Sequence, residues 1–233
     1  MVDSRYKHGL TLVEILVVVG IIAILVSMAI VVTRRVENQS QENMLANTFA
    51  ILESALGQFY DCGFRYPSPY EEFRFPLDCD GFGFRALQGT LAEATGATPV
   101  LITNHDEEAE TNPVKKIEYL EYSGCEVMYF FLSQIPEARQ ALSGISAALV
   151  TNKNMYGRDI QIVVGNRPAE PLLHVVDPWG KPLKYDYYYD GREPDRSVRL
   201  RNWLKTRKTF PALVSAGPDK TFGTADDISS KGK

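Results

Sequence analysis

The sequence is poor in the side chains that build disulfide scaffolds and most active sites. Its 233 residues include three cysteines, too few for a disulfide framework. The three histidines, His8, His105 and His174, stand singly and leave little for a zinc centre or a histidine-based active site. With 25 basic against 29 acidic residues, the chain also lacks the positive excess of a nucleic-acid-binding protein. Since no nucleophile, acid–base pair or phosphate loop stands out, we expect neither an enzyme nor a nucleic-acid partner.

One long apolar segment lies near the N-terminus. Residues 15–32 carry no charge, and Ser27 is their only polar side chain. As a helix, the wider segment 10–33 would span about 36 Å, which exceeds the roughly 30 Å of a bilayer core, and it is too long for a strand. A cleaved secretory signal is the alternative, but Thr33-Arg34-Arg35 follows where small residues should mark its cleavage site. We therefore predict a transmembrane helix.

A single charged residue, Glu14, interrupts this apolar segment. A carboxylate in the bilayer costs up to about 3 kcal/mol at the centre and less near the end, where Glu14 lies. It could extend to the headgroups as an isolated acid, or it could be buried to meet a cationic partner. The residues around Glu14 favour the second interpretation.

Residues 7–15 read KHGLTLVEI, which resembles the class III signal of type IV pilins and type II secretion pseudopilins. The resemblance implies that prepilin peptidase cuts between Gly9 and Leu10 and that Leu10 becomes the N-methylated terminus. It also makes Glu14, the fifth mature residue, the assembly glutamate. Leu10 stands where the family usually has phenylalanine. Glu14 of one subunit would neutralise the terminal ammonium of its neighbour, a pair that fixes register more than it adds stability.

Residues 36–60 are predicted to continue the helix. They are polar except for an apolar seam with spacings of three and four, formed by Leu45, Phe49, Leu52, Leu56 and Phe59. Since no proline occurs before Pro67, both segments should form one helix of about 50 residues. Such a helix resembles the pilin spine. The implied fold is α+β and pilin-like: the helix packs on a small antiparallel β-sheet, and a mixed segment is inserted in the globular part.

The middle of the chain is less informative. We predict a second helix over 133–150 with Pro136 in its first turn, strands over 156–164 and 172–176, and a solvated acidic loop over 106–110. Cys62 and Cys79 enclose sixteen residues. They could form a disulfide worth about 3 kcal/mol in an oxidising compartment, or they could remain free thiols. Cys125 would be left over in either case.

The C-terminal region begins with a turn, residues 177–180, which read DPWG. Pro178 and Gly180 favour a turn, and apolar and aromatic side chains alternate after it. The alternating residues are Leu183, Tyr185, Tyr187 and Tyr189. Their pattern alone indicates a β-hairpin with a packed tyrosine-rich face. The DPWG turn also resembles one that joins sheet strands in the major pseudopilin of type II secretion.

Three aspartates lie close together near the C-terminus, on a loop that contains glycine. Ca²⁺ prefers six to eight oxygen ligands, so Asp219, Asp226 and Asp227 could surround one ion; a solvated acidic turn is the alternative. The SAGPD and GTADDI sequences of residues 215–228 resemble the calcium loop of the major pseudopilin. The resemblance implies the three aspartates as side-chain ligands and the backbone carbonyls near Leu213 and Ser215 as further ones.

These features predict a pseudopilin subunit of a type II secretion system, which assembles through its N-terminal helix into a periplasmic pseudopilus that drives export of folded proteins. A type IV pilin of a surface fibre is the alternative, and a membrane-anchored periplasmic enzyme or binding module has no positive support. The implied partners are prepilin peptidase, copies of the chain, other pseudopilins and the inner-membrane assembly platform. A single inner-membrane pass would hold the C-terminal domain in the periplasm. The predicted segments are a leader (1–9), a filament-core helix (10–33), an amphipathic helix (34–60), an inserted α/β region (61–171) and a C-terminal sheet and calcium-loop region (172–233).

Overall fold

A computed structural model describes residues 12–65, 74–76, 91–92, 95–103, 113–154, 156–186 and 210–232. Of residues 14, 29–32, 34 and 113–123 it describes the backbone alone. The chain divides into two compact units, Met1–Asn43 and Met44–Lys233, here called the N-terminal and C-terminal units. The described elements are helices and small antiparallel sheets, which confirms the α+β class.

The longest element is helix α1, which runs from Leu12 to Asp61 over 50 residues. This confirms the prediction of one continuous helix across the apolar and the amphipathic segment. The predicted seam is buried in the C-terminal unit: the relative exposure of Leu45, Phe49, Leu52, Leu56 and Phe59 is between 0% and 6%. A glycine terminates the helix: Gly63 adopts the left-handed conformation, with a φ of +63°, and donates its amide to the Tyr60 carbonyl at 3.2 Å.

Among the described residues of the C-terminal unit, two further helices have defined bounds, α2 (Pro113–Gln134) and α3 (Pro136–Leu142). Helix α2 was not predicted, and the helix predicted over 133–150 is wrong in its length. Pro136 occupies the first turn of α3 but has no amide to continue α2, and the chain turns after Leu142. A short 3₁₀-helix, Ala147–Leu149, follows before the first strand of the next sheet.

In the part of the chain that the structure describes, eight short strands form three antiparallel sheets. The strands are β1 (Val100–Thr103), β2 (Val150–Thr151), β3 (Gln161–Val164), β4 (Glu170–Pro171), β5 (His174–Val175), β6 (Lys184–Asp186), β7 (Ala212–Ser215) and β8 (Ile228–Ser229). The sheet orders are β1-β3-β4, β2-β5 and β6-β7-β8. The strand predicted over 156–164 begins only at Gln161, because the Asn154 side chain accepts the amides of Tyr156 and Arg158 and closes a turn there. The strand predicted over 172–176 is reduced to β5, with Val176 in an isolated bridge to Pro182.

One buried apolar cluster joins the seam of α1 to the rest of the C-terminal unit. Its largest fully buried side chains include Tyr185, Phe59 and Phe131. Helix α2 contacts β5, β6 and α3. Tyr185 on β6 is fully buried, and its hydroxyl donates to the Pro76 carbonyl at 2.9 Å. Leu183 and Tyr185 thus confirm the packed face predicted after the DPWG turn, whereas Tyr187 and Tyr189 lie outside the described residues.

Candidate functional site

The DPWG turn is built around the buried carboxylate of Asp177, whose relative exposure is 1%. Its Oδ1 accepts the backbone amides of Trp179 at 3.0 Å and Lys181 at 2.8 Å. The Asp177 amide donates to the Lys181 carbonyl at 2.7 Å, and Gly180 adopts a φ of +87°. Aspartate caps its own turn in this way because its short side chain reaches the amides two and four residues later. The predicted turn is therefore confirmed.

The second oxygen of Asp177 faces another part of the chain. Its Oδ2 accepts the hydroxyl of Ser215 at 2.7 Å, and Ser215 Oγ accepts the Gly217 amide at 3.0 Å. Burial raises the pKa of Asp177, while the hydroxyl of Ser215 and the turn amides oppose that rise by stabilising the charged form. The turn at 177–180 and the C-terminal end of β7 are thus joined through one carboxylate.

The loop between β7 and β8, residues 216–227, is held by its own aspartates. Asp219 Oδ1 accepts the Thr221 amide at 2.8 Å, and Asp226 Oδ2 accepts the Asp219 amide at 3.1 Å. Asp226 Oδ1 accepts the Thr224 hydroxyl at 2.6 Å, and Asp227 Oδ2 accepts the Gly223 amide at 2.8 Å. The hydrogen bond from Thr224, followed by the bond from the Asp219 amide, lowers the pKa of Asp226. Each of the three carboxylates therefore accepts hydrogen bonds from within the loop, in addition to contributing negative charge to it.

One oxygen of this loop is different from the rest. Asp227 Oδ1 is buried and has no hydrogen-bond partner among the described residues. Leaving a carboxylate oxygen buried without a donor or a cation is costly, so Asp227 Oδ1 is well suited to act as a ligand of a cation. In the part of the chain that the structure describes, no three His, Cys, Asp or Glu side chains are grouped so as to hold a metal ion. Of the predicted carbonyl ligands, that of Leu213 already accepts the Ser230 amide at 2.8 Å.

Other contacts tie this region to its surroundings. The Lys181 ammonium lies 5.8 Å from the centre of the Phe222 ring, so the turn and the loop meet at a second point. After β8, Lys231 lies 3.3 Å from Glu53 of α1 and 4.4 Å from the centre of the Phe210 ring. The residues after β8 thus contact the C-terminal half of α1, within the C-terminal unit.

The predicted processing residues, Gly9 and Leu10, lie outside the described residues, as does the side chain of Glu14. The first part of α1 exposes its apolar side chains, with relative exposures between 52% and 78%. They are Leu12, Val13, Ile15, Leu16, Val17, Val18, Val19, Ile21, Ile22, Ile24, Leu25, Val26 and Met28. Within the described ranges, no helix is both long and apolar enough to cross a membrane.

Two cysteines and a buried histidine–glutamate pair lie outside the turn and the loop. Cys62 is an exposed free thiol, and Cys79, its possible disulfide partner, lies outside the described residues. Cys125 is buried, and its sulfur accepts the Val175 amide at 3.5 Å. The pair formed by Glu126 on α2 and His174 on β5 was not predicted; Glu126 Oε1 and His174 Nδ1 are 3.7 Å apart, and both side chains are almost fully buried. Nothing local links residues 48 positions apart, so only the fold reveals this pair.

Comparison with known proteins bears on the N-terminus. Residues 4–30 match the model of the prokaryotic N-terminal methylation motif. This is a prepilin-type N-terminus. The match supports a relationship to type IV pilin-like proteins and pseudopilins in the broad sense, including processing by prepilin peptidase and assembly with pilin-like subunits. Neither a curated protein nor a solved structure matches the chain significantly.

Proposed function

We propose that the chain is a pseudopilin of a type II secretion system, a subunit of the periplasmic pseudopilus that drives export of folded proteins. The methylation motif at 4–30 supports the pilin-like part of this proposal. The observation that favours a secretion pseudopilin over a type IV pilin of a surface fibre is the 2.7 Å hydrogen bond from the Ser215 hydroxyl to Asp177 Oδ2. It joins the DPWG turn to the aspartate loop, and these two motifs separately resemble parts of the major pseudopilin.

The proposed anchor is the apolar first part of α1, which would make a single pass through the inner membrane and leave the C-terminal unit in the periplasm. The apolar segment 15–32 and the exposure of its described side chains support this placement, because such a surface needs lipid or neighbouring helices to cover it. Cleavage after Gly9 would create an ammonium at Leu10. Glu14 of a neighbouring subunit would neutralise that ammonium during assembly on the inner-membrane platform.

We also propose that the loop 216–227 binds Ca²⁺. The support is the buried and unpartnered Asp227 Oδ1, together with the hard oxygen atoms that the loop offers. Asp219, Asp226 and Asp227 would hold the ion with the carbonyl oxygens of Leu213 and Ser215. The ion would supply positive charge to a loop on which three carboxylates lie within nine residues.

Deletion of the gene in its native host tests the proposed function. We expect secreted proteins to accumulate, folded, in the periplasm, while surface fibres persist, because only the pseudopilus would be lost. Plasmid-borne wild-type chain should restore secretion, and a surface variant, Ser143→Ala, should restore it equally. Loss of surface fibres with normal secretion would contradict the proposal and support the type IV pilin alternative.

A further inference from the structure

The two C-terminal motifs share one buried set of hydrogen bonds although they are far apart in sequence. Asp177 and Ser215 are separated by 38 positions. Both are buried, with relative exposures of 1% and 0%. Since a buried polar atom without a partner is costly, each hydrogen bond of this set contributes more than a comparable bond at the surface.

The polarity of the set is determined by the chemistry of its members. An ionised carboxylate only accepts and a backbone amide only donates. The amides of Trp179 and Lys181 occupy Asp177 Oδ1, so Oδ2 remains for the Ser215 hydroxyl proton. The Ser215 oxygen is then free to accept the Gly217 amide. The carboxylate therefore orients the hydroxyl, and the hydroxyl in turn holds the amide.

Gly217 is the residue at which this arrangement controls the loop. It adopts a φ of +67°, and a Cβ placed there would overlap the backbone carbonyl of Asp226. The start of the loop and its end therefore cross in close contact at this point. Fixing the Gly217 amide fixes that crossing. The contact between Lys181 and Phe222 separately joins the turn to the middle of the loop.

We propose that Asp177 and Ser215 form a buried clasp through which the DPWG turn holds the loop 216–227 closed. The clasp consists of protein groups only, so the loop keeps its conformation whether or not a cation binds. It makes Asp177 and Ser215 positioning residues: they set the arrangement of the three loop aspartates without being among the side chains that would face a cation. The inference does not depend on the proposed secretion function or on calcium.

Hydrogen exchange of the full chain in detergent, with EDTA present, tests the clasp. In the wild type, the Gly217 and Lys181 amides should both exchange slowly. In Ser215→Ala, exchange over 217–227 should become about tenfold faster or more, because the Gly217 amide loses its acceptor. The turn amides of Trp179 and Lys181 should stay protected, since Asp177 Oδ1 still accepts them. Ser143→Ala changes an exposed serine outside both segments and should alter the exchange of neither region.

Two further variants sharpen the test. Asp177→Ala should open the turn and the loop together, because it removes the acceptor of the turn amides and of the Ser215 hydroxyl, which is then no longer oriented to hold the Gly217 amide. Ser215→Thr keeps the hydroxyl and should restore the slow exchange of the loop. The proposal is overturned if the wild-type Gly217 amide exchanges at the rate of an unprotected amide, or if the loop is unaffected in Ser215→Ala. Equal acceleration throughout the C-terminal unit, including residues 45–59 of α1, would also overturn it, since Ser215 would then support the whole unit.

Discussion

Gly217 occupies a position that requires glycine for two reasons, its backbone conformation and a close backbone contact. Its φ of +67° lies in the left-handed region, and the space where a side chain would begin is filled by the Asp226 carbonyl. Gly223, in the same loop, has a φ of +88° but nothing within 4 Å of the corresponding position. The two glycines therefore separate the cost of backbone conformation from the cost of steric overlap.

We expect Gly217→Ala to destabilise the C-terminal unit more than Gly223→Ala. Both substitutions should cost about 1–2 kcal/mol for a left-handed alanine, and Gly217→Ala should cost more because the loop must also separate from Asp226. Thermal unfolding of the full chain in detergent measures both. Equal midpoints for the two variants would show that the loop moves aside freely and that the close contact at Gly217 is unimportant.

The location of the aspartates could be predicted from the sequence, but their connections could not. Asp219, Asp226 and Asp227 lie within nine residues, so any turn brings them near one another. The partnership of Asp177 and Ser215 depends on how β6 pairs with β7, and no local pattern reports that pairing. The same holds for Glu126 and His174, which meet only because α2 packs on β5.

Among the elements, those with a clear period were predicted and those without one were missed. Helix α1 follows a seam with spacings of three and four, and Gly63 marks its C-terminal end. Helix α2 ends in a stretch, 127–132, in which most side chains are buried, so no polar face marks it as a helix. The short strands β3, β5 and β6 lie within segments predicted as strands, whereas β1 and β2 were not predicted, because two to four residues show little alternation.

The last loop offers a test of the calcium proposal. If Ca²⁺ binds only the folded state, a concentration one hundred times its dissociation constant adds about 2.7 kcal/mol of stability. The full chain in detergent should therefore melt several degrees higher with calcium than with chelator. Magnesium should substitute poorly, because it requires tight octahedral geometry and retains its waters.

Asp227→Asn is the informative variant for that test. Asparagine keeps an acceptor for the Gly223 amide but removes the charge, so the shift with calcium should disappear. Asp159→Asn, an exposed aspartate paired with Lys153, should leave the shift intact. Equal midpoints with calcium and chelator in the wild type would reduce the loop to an acidic turn closed by its own hydrogen bonds, and the clasp at Ser215 would be unaffected by that result.

The chain as a whole combines a prepilin-type N-terminus with a C-terminal unit that has its own buried core, so processing and assembly should be separable by mutation. We expect Glu14→Gln to be cleaved normally but to assemble poorly. Cleavage requires the glycine and the apolar segment, which the variant keeps, and glutamine is cheaper to bury than glutamate. Assembly requires a counter-charge for the neighbouring ammonium, and an uncompensated charge among packed helices is strongly destabilising.

Intact mass should show a chain that begins at Leu10, while the yield of sheared filaments should fall by about tenfold or more. Glu37→Gln, an exposed glutamate on the same helix, should assemble like the wild type. Wild-type filament yield from Glu14→Gln would make Glu14 an isolated acid at the headgroups, and a mature chain that still begins at Met1 would contradict the cleavage itself.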